Sequence, residues 1–240
     1  MKSLDQARSE FDRIAELSSR LPDVVGPHEA ALIEQLPRGM SIALDVGCGT
    51  GAVARRLAAR CDRVVGIDLS PQMIREAQNR SAAFPTVEYH VAAAEEWLGG
   101  SRSYDCITSM AVLHHMPLEP TVRSIARALR PGGIVLIVDL TSRPGLRNLP
   151  LNAIALVAGR LRDLILKRTL VQRKLCKAWE EHGGGETYLT IAEARELYSK
   201  LLPGSHVRDH LIWRYSVLWR KPRGAQNKKD SLVGCPSTSL

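Results

Sequence analysis

The chain has 240 residues, 45% of them hydrophobic, and a net charge of +8. A chain of this size buries roughly 70–75% of its unfolded surface, so one sizeable core is expected and a disordered or fibrous class is excluded. The charge is uneven: Lys and Arg exceed Asp and Glu by eight over residues 141–177 and by four over 220–240, whereas residues 1–140 carry two more acids than bases. So confined a positive balance is weak support for nucleic acid, whose binders often spread it over a groove-facing surface.

The opening "MKSLDQARSEFDRIAELSSR" carries acids and no apolar signal core, and no run approaches the roughly 18 apolar residues of a spanning helix, so a soluble, cytoplasmic protein is expected. The five cysteines (Cys48, Cys61, Cys106, Cys176 and Cys235) form no C-x-x-C pair and read as reduced, mostly buried thiols. No His/Asp/Glu group has ligand spacing, so no metal is expected.

Helical periodicity over 5–20 and 27–36 predicts two N-terminal helices. From "SIALDV" onward, short β-branched runs alternate with helices at 51–60, 71–82 and 118–130; the strands are "RVVGID", "VEYHVA", "YDCITSM" and "GGIVLIVDL". That rhythm predicts an α/β, Rossmann-like, doubly wound and mostly parallel seven-stranded sheet with helices on both faces. Residues 141–186 interrupt it as a helical insertion, with Leu151, Ile154, Val157, Leu161 and Leu164 on one face. A helix at 190–202 follows. Trp213, Tyr215, Val217 and Trp219 then alternate with Arg214, Ser216, Leu218 and Arg220, the period of strands at the sheet edge, compatible with a hairpin. The expected units are a helical cap (1–38), a cofactor-binding core (39–140), a substrate lid (141–186), a completing helix and strands (187–221), and a disordered tail (222–240).

In "ALDVGCGTG", residues 43–51, a strand runs into closely spaced glycines, which let backbone approach a ligand. Gly47, Gly49 and Ala52 also satisfy a dinucleotide fingerprint, so NAD competes. Asp45 weighs against it, because a carboxylate there repels a pyrophosphate and suits a cofactor bearing an ammonium and a sulfonium. Asp68, about 20 residues on, is placed to accept from ribose hydroxyls; the plainer reading makes it part of a helix start capped by Ser70 with Pro71 at N1.

With these residues, and with "VVGIDLSPQMI" (64–74), "YDCITSMAVLHHM" (104–116) and "LRPGGIVLIVD" (129–139), the chain resembles the class I S-adenosylmethionine-dependent methyltransferases, in particular the small type 11 group. The resemblance covers residues 39–140 and implies S-adenosyl-L-methionine as cofactor. It implies that Asp45, Gly47, Gly49 and Gly51 surround the methionyl and ribose portion, that Asp68 meets the ribose hydroxyls and that Leu69 lies against adenine. Cys48, Met73, Ala93, Ala94 and Met110 complete the implied contact set. Ala93 stands where the family commonly has an acid for the adenine amino group; Glu95, a backbone carbonyl or packing replaces it.

Methyl transfer from a sulfonium needs mainly alignment and dryness, and a neutral imidazole helps when the nucleophile carries a proton. His114 and His115, just beyond the fourth strand, are the candidate bases; the plainer reading has them bonding loop backbone or lining the cofactor pocket. His28, His182 and Tyr188 are weaker candidates, the plainer reading of each being an ordinary surface or packing residue. The insertion's apolar face points to a hydrophobic acceptor and its arginines to an acidic one, although the stripe also suits simple packing on the sheet or a basic helix resting on anionic lipid.

The expected activity is methyl transfer to an oxygen or nitrogen of a small, partly hydrophobic metabolite. The alternatives are a methyltransferase acting on RNA or another macromolecule, and a non-methylating cyclase or sensor on the same fold. Against nucleic acid, "SMAVLHHM" lacks the Asn/Asp/Ser-Pro-Pro-aromatic signature, and Cys106 falls within a strand.

Overall fold

The computed structural model describes residues 4–23, 25–100, 103–144, 153–154, 157, 170–183, 187–210 and 213–223. The elements are α1 (Leu4–Ser18), α2 (Pro27–Glu34), β1 (Met40–Val46), α3 (Ala52–Leu57), β2 (Cys61–Asp68), α4 (Pro71–Arg80), β3 (Val87–Val91), α5 (Ala94–Leu98) and β4 (Tyr104–Met110). After a turn of 3-10 helix at Leu113–His115 come α6 (Leu118–Ala128), β5 (Leu129–Leu140), α7 (Leu170–Gly183), α8 (Ile191–Leu201), β6 (His206–His210) and β7 (Arg214–Arg220).

The seven strands lie in the order β3-β2-β1-β4-β5-β7-β6. β1 to β5 run parallel, and β7 pairs antiparallel with both β5 and β6. The parallel strands read as nearly continuous apolar runs because both faces are covered. Leu44, Val46, Val65 and Ile107 join one buried layer with α5, α6 and α8, while Ala43, Val64, Cys106 and Leu136 join the other with α2, α3 and α4. The strand order reverses between β1 and β4, and a doubly wound sheet opens a ligand crevice at the carboxyl end of that switch point.

Several boundaries differ from the sequence reading. Helix 51–60 is confined to Ala52–Leu57, because Gly51 is an N-cap in left-handed conformation. Helix 118–130 ends at Ala128, and β5 starts at Leu129 rather than Gly132, since Leu129 already pairs with Tyr104. The expected strands at the sheet edge are present as the antiparallel pair β6 and β7, with β6 outermost and β7 between it and β5, so Ser216 is buried beside Tyr215 and Val217. Trp213 stands outside the strand with a φ of 42°.

Of the proposed apolar stripe, Ile154 and Val157 are more than half exposed, so these two do not pack on the sheet; Leu151, Leu161 and Leu164 lie outside the described residues, as does the tail from 224 with Cys235. Cys48, Cys61 and Cys106 are buried and Cys176 is half-buried, all as free thiols. Among the described residues no helix is long and apolar enough to cross a membrane.

α1 and α7 pack against each other outside the sheet. Ile14 and Ala15 of α1, Met73 of α4 and Ala178 of α7 form a separate small core. Two polar links reinforce it: Glu10 Oε2 accepts from His182 Nδ1 at 2.5 Å, and the exposed pair Arg13–Glu181 lies at 3.2 Å. The first involves a residue 3% exposed and is much the stronger, because exposed pairs contribute little.

Candidate active site

A cleft of about 1340 Å³ opens at the carboxyl ends of β1, β2, β4 and β5. Single small-ligand pockets usually run to roughly 300–1,000 Å³, so this one accommodates a cofactor and a second molecule side by side.

The glycine turn forms its first wall. Gly47 has a φ of 69°, and a Cβ there would meet Val112 Cγ atoms at 2.5 Å. Gly49, with a φ of 50°, has nothing within 4 Å of its would-be Cβ, leaving open space for a ligand. The turn's amides are occupied: Gly47 and Cys48 N–H donate to the Ile67 carbonyl at 2.8 and 2.9 Å, Gly51 N–H to the Cys48 carbonyl at 2.9 Å, and Gly49 N–H to Asp68 Oδ2 at 2.9 Å. A pyrophosphate would need such amides turned toward it, so the turn is poorly suited to NAD.

The charge of this wall is negative. Asp45 is 1% exposed; its Oδ1 accepts from Thr108 Oγ1 at 2.7 Å, while Oδ2 is buried with no hydrogen bond of ordinary geometry. Burial pushes its pKa up to about 7, against the opposing effect of the Thr108 hydroxyl, with Asp68 adding repulsion and the Ala54 amide a small relief. A buried carboxyl with an orphaned oxygen calls for a donor or cation, and an ammonium-bearing cofactor supplies both. Asp68 is also raised by burial, although the Ser70 and Gly49 amides oppose the shift. Its two oxygens each accept one amide at 2.9 Å, which orients the carboxyl and leaves lone pairs for ribose hydroxyls. Ser70 both caps α4 through Met73 N–H and donates to Asp12 Oδ1 at 2.5 Å, so the helix-start reading of this motif coexists with a place on the cleft.

Asp45, Gly47, Cys48, Gly49, Asp68, Leu69, Met73, Ala93, Ala94 and Met110 all line the cleft; Gly51 does not, and instead caps α3. Cys48 is no nucleophile: burial, then Asp68 and Asp45, push its thiol well above the usual range. At the Ala93 position the backbone carbonyl accepts from Trp97 N–H at 3.1 Å, while Glu95 also lines the cleft.

The opposite wall is built from imidazoles and aromatic rings. Ala111, at a φ of 57°, takes a conformation that costs an L-residue about 1–2 kcal/mol and turns the chain after β4 so that both histidines face the cleft. His114 Nδ1 meets Asp139 Oδ1 at 2.5 Å, with side chains 7% and 2% exposed. With Asp139 ionised, Nδ1 donates and Nε2 becomes the basic nitrogen. His115 Nε2 lies 3.3 Å from His182 Nε2, and the two rings are 4.6 Å apart. Phe11 lies against His182 at 4.6 Å and His115 at 5.5 Å, and Tyr188 edges His114 at 5.2 Å.

Thus of the weaker candidates His182 and Tyr188 line the cleft, while His28 packs against His210 at 3.9 Å and does not line it. Asp139 and Glu10 escaped notice: one ends an apolar strand and the other lies on an amphipathic helix, and neither position has a local signature. An acid directly closing the covered run "IVLIVD" was the available cue for Asp139.

Residues 43–133 match the family described as "Methyltransferase domain". An uncharacterised methyltransferase of Mycobacterium tuberculosis strain H37Rv is 31% identical over 201 residues, covering 81% of this chain and 94% of the relative. The ubiquinone biosynthesis O-methyltransferase of Xanthomonas axonopodis pv. citri is 32% identical over 160 residues, 60% of this chain and 65% of that protein. Among solved structures, a DhpI–SAH complex superposes with a TM-score of 0.61 at 22% identity, covering 91% of this chain and 97% of that one. With the negatively charged glycine turn, these likenesses make S-adenosylmethionine the cofactor. The chain belongs to the class I S-adenosylmethionine-dependent methyltransferases.

Proposed function

We propose that this enzyme methylates an oxygen or nitrogen of a small, partly hydrophobic metabolite in the cytoplasm, with an imidazole as proton acceptor. The observation that carries the reading is the Asp139–His114 pair on the acceptor wall, beside a row of aromatic rings. The Xanthomonas relative, an O-methyltransferase by name, supports an oxygen nucleophile.

When bound, S-adenosylmethionine supplies an electrophilic methyl group on a sulfonium, already a good leaving group. Asp45 holds positive charge at the end of β1, and Asp68 accepts from ribose. Phe11 of α1 and Leu175 and Trp179 of α7 give the cleft an apolar lining, which favours a dry reaction site once cofactor and acceptor fill it. As the acceptor hydroxyl becomes nucleophilic, its proton passes to His114 Nε2, and Asp139 stabilises the imidazolium that forms. His115 serves the same role if His182, held by Glu10, accepts its Nε2–H and leaves Nδ1 basic. Alignment in such a site contributes on the order of 7–11 kcal/mol, and general-base assistance typically 10²–10⁴-fold in rate.

The test is S-adenosylhomocysteine release across a panel of phenols, aliphatic alcohols, amines, RNA and protein. Turnover of phenols or small amines that falls at least a hundredfold in His114→Ala or His115→Ala supports the reading. Turnover confined to RNA or protein overturns it, and binding of cofactor without turnover of any acceptor favours the sensor alternative.

A further inference from the structure

The charges lining the cleft are segregated. Among the described residues every carboxylate on its wall (Asp23, Asp45, Asp68 and Glu95) belongs to the cofactor side, around the glycine turn and the ends of β2 and β3. Arg80, on that side, is already paired with Glu76 at 2.6 Å and with Asp23. The acceptor wall has no carboxylate among its described lining residues, and its one permanently charged member is Arg214.

Arg214 begins β7 and is register partner of Leu140, the residue after Asp139. Cross-strand partners share a face, so Arg214 and Leu140, both lining the cleft, project on the α2 side of the sheet, while Asp139 pairs with Tyr215 and projects on the other; Arg214 and the Asp139–His114 pair thus meet the cleft from opposite sides. Its side chain is 36% exposed, and its Nε lies 3.5 Å from Glu29 Oε1. The two terminal nitrogens carry no hydrogen bond among the described residues, so the fork that matches a carboxylate or phosphate is open.

We propose that Arg214 is a specificity-determining residue that binds an anionic group on the acceptor, and that the acceptor class is a hydroxylated aromatic acid. The rings of Phe11, Trp179 and Tyr188 take the aromatic body, the histidines take the hydroxyl proton, and Arg214 takes the carboxylate at the far end. This rests on the small-metabolite reading above and narrows it: the two halves of the cleft are complementary to a cationic cofactor and an anionic acceptor.

The experiment is calorimetric titration of the full chain, saturated with S-adenosylhomocysteine, with protocatechuate and with catechol, which has the same hydroxyls and no carboxylate. A bidentate, charge-assisted contact predicts roughly tenfold or greater preference for protocatechuate. Arg214→Gln is expected to abolish that preference, leave catechol binding unchanged and retain S-adenosylhomocysteine affinity, which reports a folded protein; Arg214→Lys is expected to restore part of the preference.

Equal binding of the two ligands by the wild type, binding of neither, or a preference that survives Arg214→Gln overturns the inference. Methylation of neutral phenols or amines with none of the aromatic acids would sink the Arg214 assignment and leave the proposed function standing. Activity on RNA or protein alone would sink both.

Discussion

His114 and Asp139 meet through Nδ1 and Oδ1 at 2.5 Å although 25 residues separate them, one just past β4 and the other near the end of β5. β4 and β5 are adjacent parallel strands, with Met110 opposite Val138, so their carboxyl ends deliver the two side chains to one place. A buried imidazole bound to a buried carboxylate has a fixed tautomer, which is what a general base requires.

Asp139→Asn keeps the shape and removes the charge. Turnover is expected to fall by about 10²-fold or more, as for loss of general-base assistance, with cofactor affinity within twofold of the wild type. Initial rates of S-adenosylhomocysteine release and calorimetry with S-adenosylmethionine check this; an unchanged rate would remove the pair from the mechanism.

Asp45 makes stability and binding respond to pH in opposite senses. Its pKa is raised to about 7 in the folded chain, so its contribution to stability is fullest below the ordinary carboxylate range, falls as pH rises from about 4, and is lost above about 7. Without cofactor, Asp45→Asn is expected to raise stability at pH 8 by on the order of 2–4 kcal/mol, measured by urea unfolding. Binding of the cationic cofactor needs the ionised form, so affinity rises on the order of tenfold from pH 6 to pH 8 in the wild type and stays flat in the variant.

The two turn glycines separate folding from binding. In Gly47→Ala the new methyl meets the branched side chain of Val112 at a positive φ, and a loss of about 2–4 kcal/mol of stability is expected. Gly49→Ala meets no protein atom, so only about 1–2 kcal/mol for the backbone conformation is expected, yet the methyl fills space left for the cofactor. Thermal unfolding near the wild-type value with at least tenfold weaker S-adenosylmethionine binding is the predicted signature of Gly49→Ala. Unimpaired binding would place the cofactor elsewhere.

α1 and α7 are linked by Glu10 and His182. A double-mutant cycle with Glu10→Gln and His182→Gln is expected to give a coupling of about 1–2 kcal/mol, and the single variants faster proteolysis within α1 and α7. Coupling near zero would mean that the apolar contacts of Ile14, Met73 and Ala178 alone dock the two helices.

Much of the fold was legible because its signals are local. The parallel core shows in apolar runs whose alternate residues face two helix layers, the glycine turn in three glycines within five positions, and α4 in Ser70 and Pro71 at its start. The same local logic found the edge strands but does not register burial by neighbours: Ser216, on the polar side of the β7 alternation, is buried because β7 lies between β5 and β6. It also extended α3 and α6, because propensity does not register the left-handed Gly51 or the early pairing of Leu129.

The acceptor side was legible only in the doublet His114–His115. Glu10 and His182 are 172 positions apart, and Arg214 reaches the cleft because β7 turns back against β5. Contacts like these depend on strand order and register, which bring distant residues together without leaving a periodic trace. The cofactor wall is built from one turn and adjoining strand ends, so its chemistry is written in short contiguous motifs; the acceptor wall is assembled from α1, α7 and the ends of β4, β5 and β7, and its charge and shape exist only after the chain has folded.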